Sequence, residues 1–180
     1  YRQLETVEDD GGFLAPPSPL REARQPLHDG LNALQVAASA VTTAEPRFAL
    51  ASLDAALHYL NQRLLPACRA EESTLFVAVD GVTGVMNGCH VMKAQHTTII
   101  RMAGDLAQVA DAARASGGLA EYAKFLQPLL FGLYALCRAH LESEDEAYAG
   151  LLEAMLSESQ QRALAARFSS ASADGRNERG

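Results

Sequence analysis

Residues 137–152 read CRAHLESEDEAYAGLL. His140 and Glu144 are four apart, so on an α-helix they share one face, a turn apart. An earlier stretch, residues 68–79, reads CRAEESTLFVAV and repeats the theme of adjacent acids before an aromatic and apolar run. There Glu71 matches Glu144, and Ala67 stands where the counterpart of His140 would be.

Working outward from these two stretches, the pattern stays helical. Ser18-Pro19 marks a first helix, with Ser at the N-cap and Pro at the first helical position. It is expected to reach about residue 41 and to break or kink at Pro26. Glu45-Pro46 opens a second helix to about residue 79. Its apolar set Phe48, Leu50, Leu53, Leu57, Leu60 and Leu64 follows helical spacing, and Pro66 is expected to bend it. After a Gly-containing loop over 80–88, Asn87 is the expected N-cap of a third helix that stops at Gly117-Gly118. A fourth is expected from about 119 to about 156, kinked at Pro128. Ser157 and Gln160 form a capping-box pattern for a short C-terminal helix ending at Phe168. No strand pattern emerges. The expected fold is all-α: an up-down-up-down four-helix bundle over 18–168 with a short C-terminal helix. Residues 1–17 are expected to be an extended lead-in and 169–180 a disordered tail.

The 180 residues suit one domain with one core. A net charge of −7 argues against nucleic acid or an anionic membrane as the main partner. Cys68, Cys89 and Cys137 are widely spaced without a CxxC pair, so neither a zinc ribbon nor a disulfide framework is indicated. A reducing cytoplasm is the expected location. No apolar run is long enough for a transmembrane helix, and no signal-peptide pattern opens the chain.

Depth along an antiparallel bundle tests whether the polar groups meet. The start of the first helix lies beside the end of the second, the start of the third and the end of the fourth. His28 is about ten residues into the first, Glu71 about eight from the end of the second, His96 about eight into the third and Glu144 about eleven from the end of the fourth, depths that agree within roughly 5 Å. His28, Glu71, His96, His140 and Glu144 thus form one layer of imidazoles and carboxylates, the donor set with which bundle cores hold metal ions. Such ligands suit iron, and also Mn or Zn. Each residue alone has a plainer reading: a surface or satisfied core histidine, a solvated acid pair, a simple i,i+4 contact. Without metal, the buried acids are expected to have raised pKa values.

Other candidates fit less well. His58 lies about 13 residues before Glu71, roughly 20 Å along the same helix. His90 does not share a face with His96 and is expected to cap the open end of the bundle or to act in an outer shell, with direct ligation as the lesser alternative. Cys68 and Cys137, three residues before Glu71 and His140, read as small buried hydrophobes, with a thiolate ligand or redox thiol as the other reading.

The stretch LLPACRAEESTLFVAVD (64–80) resembles the second helix of hemerythrin-like (HHE cation-binding) proteins. MKAQHTTIIRMAGDLA (92–107), with an amide before its His, resembles their third helix, RAHLESEDEAYAGLLEAML (138–156) their fourth and LHDGLNAL (27–34) their first. The resemblance implies two irons bridged by the carboxylates of Glu71 and Glu144, with His28, His96 and His140 completing the shells. It also exposes a departure, because that family has His where this chain has Ala67. One iron is then short of a ligand. The position is open to substrate or gas, filled by another residue, or the mark of a site reduced to one metal or none.

Two functions follow as expectations. The first is a non-haem iron protein, di-iron favoured over one iron, that binds, senses or processes O2, peroxide or NO. An oxidase or peroxidase-like activity on a small molecule is a variant. The second is a degenerate bundle that has lost iron and serves as an interaction or regulatory module.

Overall fold

The computed structural model describes residues 18–177, so the lead-in expected over 1–17 lies outside it. Among the described residues the chain is all-helical, without strands. Helices α1 (Pro19–Gly30) and α2 (Asn32–Thr43) form the first arm. The second arm is α3 (Pro46–Tyr59), a π turn (Leu60–Leu64), α4 (Leu65–Ser73) and α5 (Leu75–Thr83). The third is α6 (His90–Ser116). The fourth is α7 (Ala123–Glu144), a π turn (Asp145–Ala149) and α8 (Gly150–Met155). A fifth helix, α9 (Glu158–Asn177), follows. α2 packs on α3 and α7, α6 on α7, and α9 on α1 and α4.

Several stops and starts follow local chemistry. The Ser18 hydroxyl accepts from Arg21 N at 3.3 Å. Gly117, at φ +80°, ends α6 in the left-handed conformation that glycine adopts without strain. Gln160 Oε1 accepts from Ser157 N at 2.8 Å and Ser157 Oγ from Gln160 N at 3.4 Å, closing the capping box.

Other boundaries move. α1 runs straight through Pro26, and the break falls at Leu31 instead. The cause is Tyr59, whose ring lies so close to Gly30 that a Cβ there would meet it at 2.1 Å. Leu31 N donates to His28 O at 3.2 Å rather than one residue further back, and the Tyr59 hydroxyl takes the released Leu27 carbonyl at 2.7 Å. The disturbance expected at Pro66 becomes a π turn just before it, with Leu65 N donating to Leu60 O, five residues back. α7 passes through Pro128 uninterrupted. Asn87 is not an N-cap. It sits at φ +59°, with its own N–H and that of Gly88 bonded to Asp80, and Cys89 is the residue before α6.

The last helix passes Phe168, through residues expected to be disordered, to Asn177. Leu164, Ala165 and Phe168 are buried and Ala171 is half-buried against the core. An alanine-rich helix with an apolar face to cover is stable where an isolated polar tail is not.

Candidate metal centre

The centre sits where α1, α4, α6 and the end of α7 meet. Glu71, His96, His140 and Glu144 are each 1% exposed or less. Their polar tips converge. His96 Nε2 lies 2.9 Å from His140 Nε2, 3.3 Å from Glu71 Oε2 and 3.9 Å from Glu144 Oε1, and His140 Nε2 lies 3.5 Å from Glu144 Oε2. Four of the five residues expected in one layer are therefore brought together.

The outer nitrogen of each imidazole is held by an acceptor. His96 Nδ1 is 2.8 Å from Glu72 Oε1, and His140 Nδ1 is 2.8 Å from Gln95 Oε1. Both acceptors select the Nδ1–H tautomer and leave the two Nε2 atoms facing inward, as carboxylates and amides do behind metal-ligating histidines. Phe76 stacks on the His96 ring at 5.4 Å. Cys68 joins the group: one donor atom each from Cys68, Glu71, His96 and His140 all lie within 4.8 Å of one another.

His28 is not brought in. Its Nε2 lies 2.8 Å from Asp145 Oδ2, at an angle that forms no hydrogen bond, and the side chain is 27% exposed. Arg24, one turn earlier on α1, takes the inward place. It is 2% exposed. Its guanidinium donates to Glu144 Oε2 at 2.8 Å and lies 3.5 Å from Glu71 Oε1 and 3.3 Å from Asp145 Oδ1. A signal for it exists in the sequence. Leu20, Arg24, Leu27 and Leu31 recur at intervals of four, three and four, so Arg24 interrupts an apolar stripe. His58 and His90 are exposed, and His90 Nδ1 lies 3.3 Å from Asn87 O.

Electrostatics divide the two acids that were expected to behave alike. Burial and the nearby Glu71 charge raise Glu144 to about 8, against the pull of Arg24. Burial also works against the charged form of Glu71, but Arg24, His96 and His140 outweigh it and the pKa is lowered. The expected rise in both fails because the expectation lacked Arg24. Burial depresses His140 to about 4, whereas in His96 the same burial is overcome by Glu71 and Glu72 and the pKa rises. Burial thus favours the protonated form of Glu144, Arg24 favours the ionised form of Glu71, and the two acids favour the protonated form of His96. Burial, then the acids, push the Cys68 thiol well above its usual range.

The residues fit a metal ion. Two imidazoles face each other with their Nδ1 positions fixed, and Glu71 Oε1 and Glu144 Oε1 are buried without a hydrogen-bonding partner. Ala67, where an imidazole was missing, is buried and lines a cleft of about 190 Å3 with Leu27, Gln62, Phe168 and Ser172. None of the converging donors lines that cleft.

No curated protein and no solved structure matches the chain. Residues 19–152 match the model of the hemerythrin HHE cation binding domain, a span that includes every residue of the centre and stops before α9. The chain belongs to the hemerythrin HHE cation-binding family.

Proposed function

We propose that this chain is a non-haem iron protein, its first four arms an up-down-up-down bundle, that binds, senses or processes O2, peroxide or NO. The observation that carries the reading is the pair of buried imidazoles, each fixed through Nδ1 by Glu72 or Gln95 and aimed inward beside Glu71 and Glu144. Nitrogen and carboxylate donors suit iron. Iron held there would supply a redox-active cation with affinity for small gases and peroxide. Glu71, His96 and His140 would hold it, with Glu144 at its edge, and Phe76 walls the centre. A cavity of about 10 Å3 beside Arg24, lined by Leu20, Phe76 and Tyr148, has room for a ligand the size of a water molecule. The acidic chain and the cytoplasm-compatible free thiols support a cytoplasmic protein without nucleic-acid or membrane partners. No described helix is long and apolar enough to cross a membrane.

One observation favours the second reading, a bundle that has given up metal for an interaction or regulatory role. Arg24 already neutralises part of the charge of Glu71 and Glu144 from within the chain. Anaerobic loading with ferrous iron followed by NO separates the two. The iron reading expects bound iron and a new visible absorption, and trace iron with no spectral change supports the regulatory module.

A further inference from the structure

We infer that Cys68 is a thiolate ligand of a single-metal centre, completing a sulfur, two-nitrogen, one-oxygen set with His96, His140 and Glu71, while the Arg24 guanidinium stands in for a second cation. The inference rests on the reading that this centre holds a metal.

Three observations lead to it. Cys68 Sγ is grouped with Glu71, His96 and His140, all four donors within 4.8 Å and all buried. Cys68 and Glu71 are three apart on α4, so one helical turn presents both to the same point. The neighbouring Ala67 offers no donor, and the sulfur beside it reaches the inward cluster instead. The other half of the centre is committed elsewhere. Arg24 binds Glu144 at 2.8 Å and reaches toward Glu71, and His28 faces Asp145. A second metal would need Glu144 and His28, and these lie against the charges of Arg24 and Asp145. The first has four donors, enough for a tetrahedral shell that can expand to five when a small ligand enters. A thiolate in that shell shifts preference toward zinc, cobalt or ferrous iron over harder cations.

The chemistry is ligation without redox. The metal–sulfur bond forms as the S–H bond breaks, the proton leaves to solvent, and no electron is transferred.

The test is an anaerobic titration of the metal-free full chain with Co(II), read by absorption. The inference expects visible ligand-field bands together with a near-ultraviolet thiolate-to-cobalt band, both saturating at a single equivalent. Cys68→Ala should lose the near-ultraviolet band, keep the visible bands and bind cobalt at least about a hundredfold more weakly, since even outer-shell changes cost 10–100-fold. Cys137→Ala, three residues from His140 but outside the cluster, should keep both bands. The parent spectrum decides the matter even if Cys68→Ala does not fold. Bound cobalt without the near-ultraviolet band overturns the Cys68 ligand while leaving the metal reading standing. Saturation at two equivalents overturns the role given to Arg24. A parent that binds no cobalt overturns the metal reading and this inference together.

Discussion

Where α2, α3, the later part of α6 and the early part of α7 meet, the interior is Leu34, Ala38, Leu53, Leu106, Leu126 and Leu130, each fully buried. At the other end, around α4 and the close of α7, the interior holds Arg24, Glu71, His96, His140 and Glu144 at the same burial. Each buried leucine contributes about 1.5–3 kcal/mol. Each buried ion costs several kcal/mol of hydration, which pairing offsets only when the geometry is good. The apolar end supplies stability that the polar end consumes. The difference explains why a guanidinium is found inside the polar end of the bundle, where it can offset two acids when no metal does.

The sharpest way to break this contrast is to change one residue at each end. Arg24→Met should cost the metal-free protein about 3–5 kcal/mol at pH 7, because it strands buried acids without their cation. Ferrous iron should return much of that loss. Leu130→Ala at the apolar end should cost about 2–5 kcal/mol through its cavity, with metal adding no more than it adds to the parent. Urea unfolding with and without iron measures both, and equal recovery in the two variants would erase the distinction.

A smaller effect is expected one layer out. Glu72→Ala or Gln95→Ala frees an imidazole to rotate and should weaken metal binding about 10–100-fold. Calorimetric titration measures it, and unchanged affinity would show that the anchors do not orient the rings. Smaller still is His58→Ala. That exposed side chain should change stability by no more than about 0.5 kcal/mol and leave metal affinity as it was. A clear loss of metal affinity would mean that the polar layer extends further along the bundle than its geometry allows.

What the sequence discloses about this molecule is what depends on neighbours in the chain. Ser18, Gly117 and the Ser157–Gln160 box announce helix ends because their hydrogen bonds span a few residues. Glu71, His96, His140 and Glu144 could be aligned by depth because axial rise is regular. The break at Leu31 was hidden because Tyr59, far along the chain, causes it. His28 was misplaced for the same reason. Two turns of one helix fit the depth argument equally, and only the position of Glu71 and Glu144 selects Arg24 for the inward place. Spacing alone leaves Cys68 readable as a core thiol or a ligand, because it does not encode the convergence across helices that sets the sulfur beside Glu71, His96 and His140.

The central claim is that the polar end is built for a cation, and a calorimetric melt of metal-free and iron-loaded protein at pH 5 and pH 7 tests it most directly. In the metal-free fold Glu144 is raised to about 8 from an ordinary 4.5. The unfolded chain therefore loses this proton first, and stability falls as pH rises through that window. His140, depressed to about 4 from 6.5, acts oppositely and weakens the fold as pH falls below 6.5. His96, raised from 6.5, contributes stability that is present below that value and lost as pH climbs. A bound cation favours the ionised acids and needs unprotonated imidazoles, so loading releases protons and grows stronger with pH. The account predicts that iron raises the melting temperature at both values and raises it more at pH 7 than at pH 5. No stabilisation at pH 7 would contradict it and leave Arg24, not a metal, as the working cation of this centre.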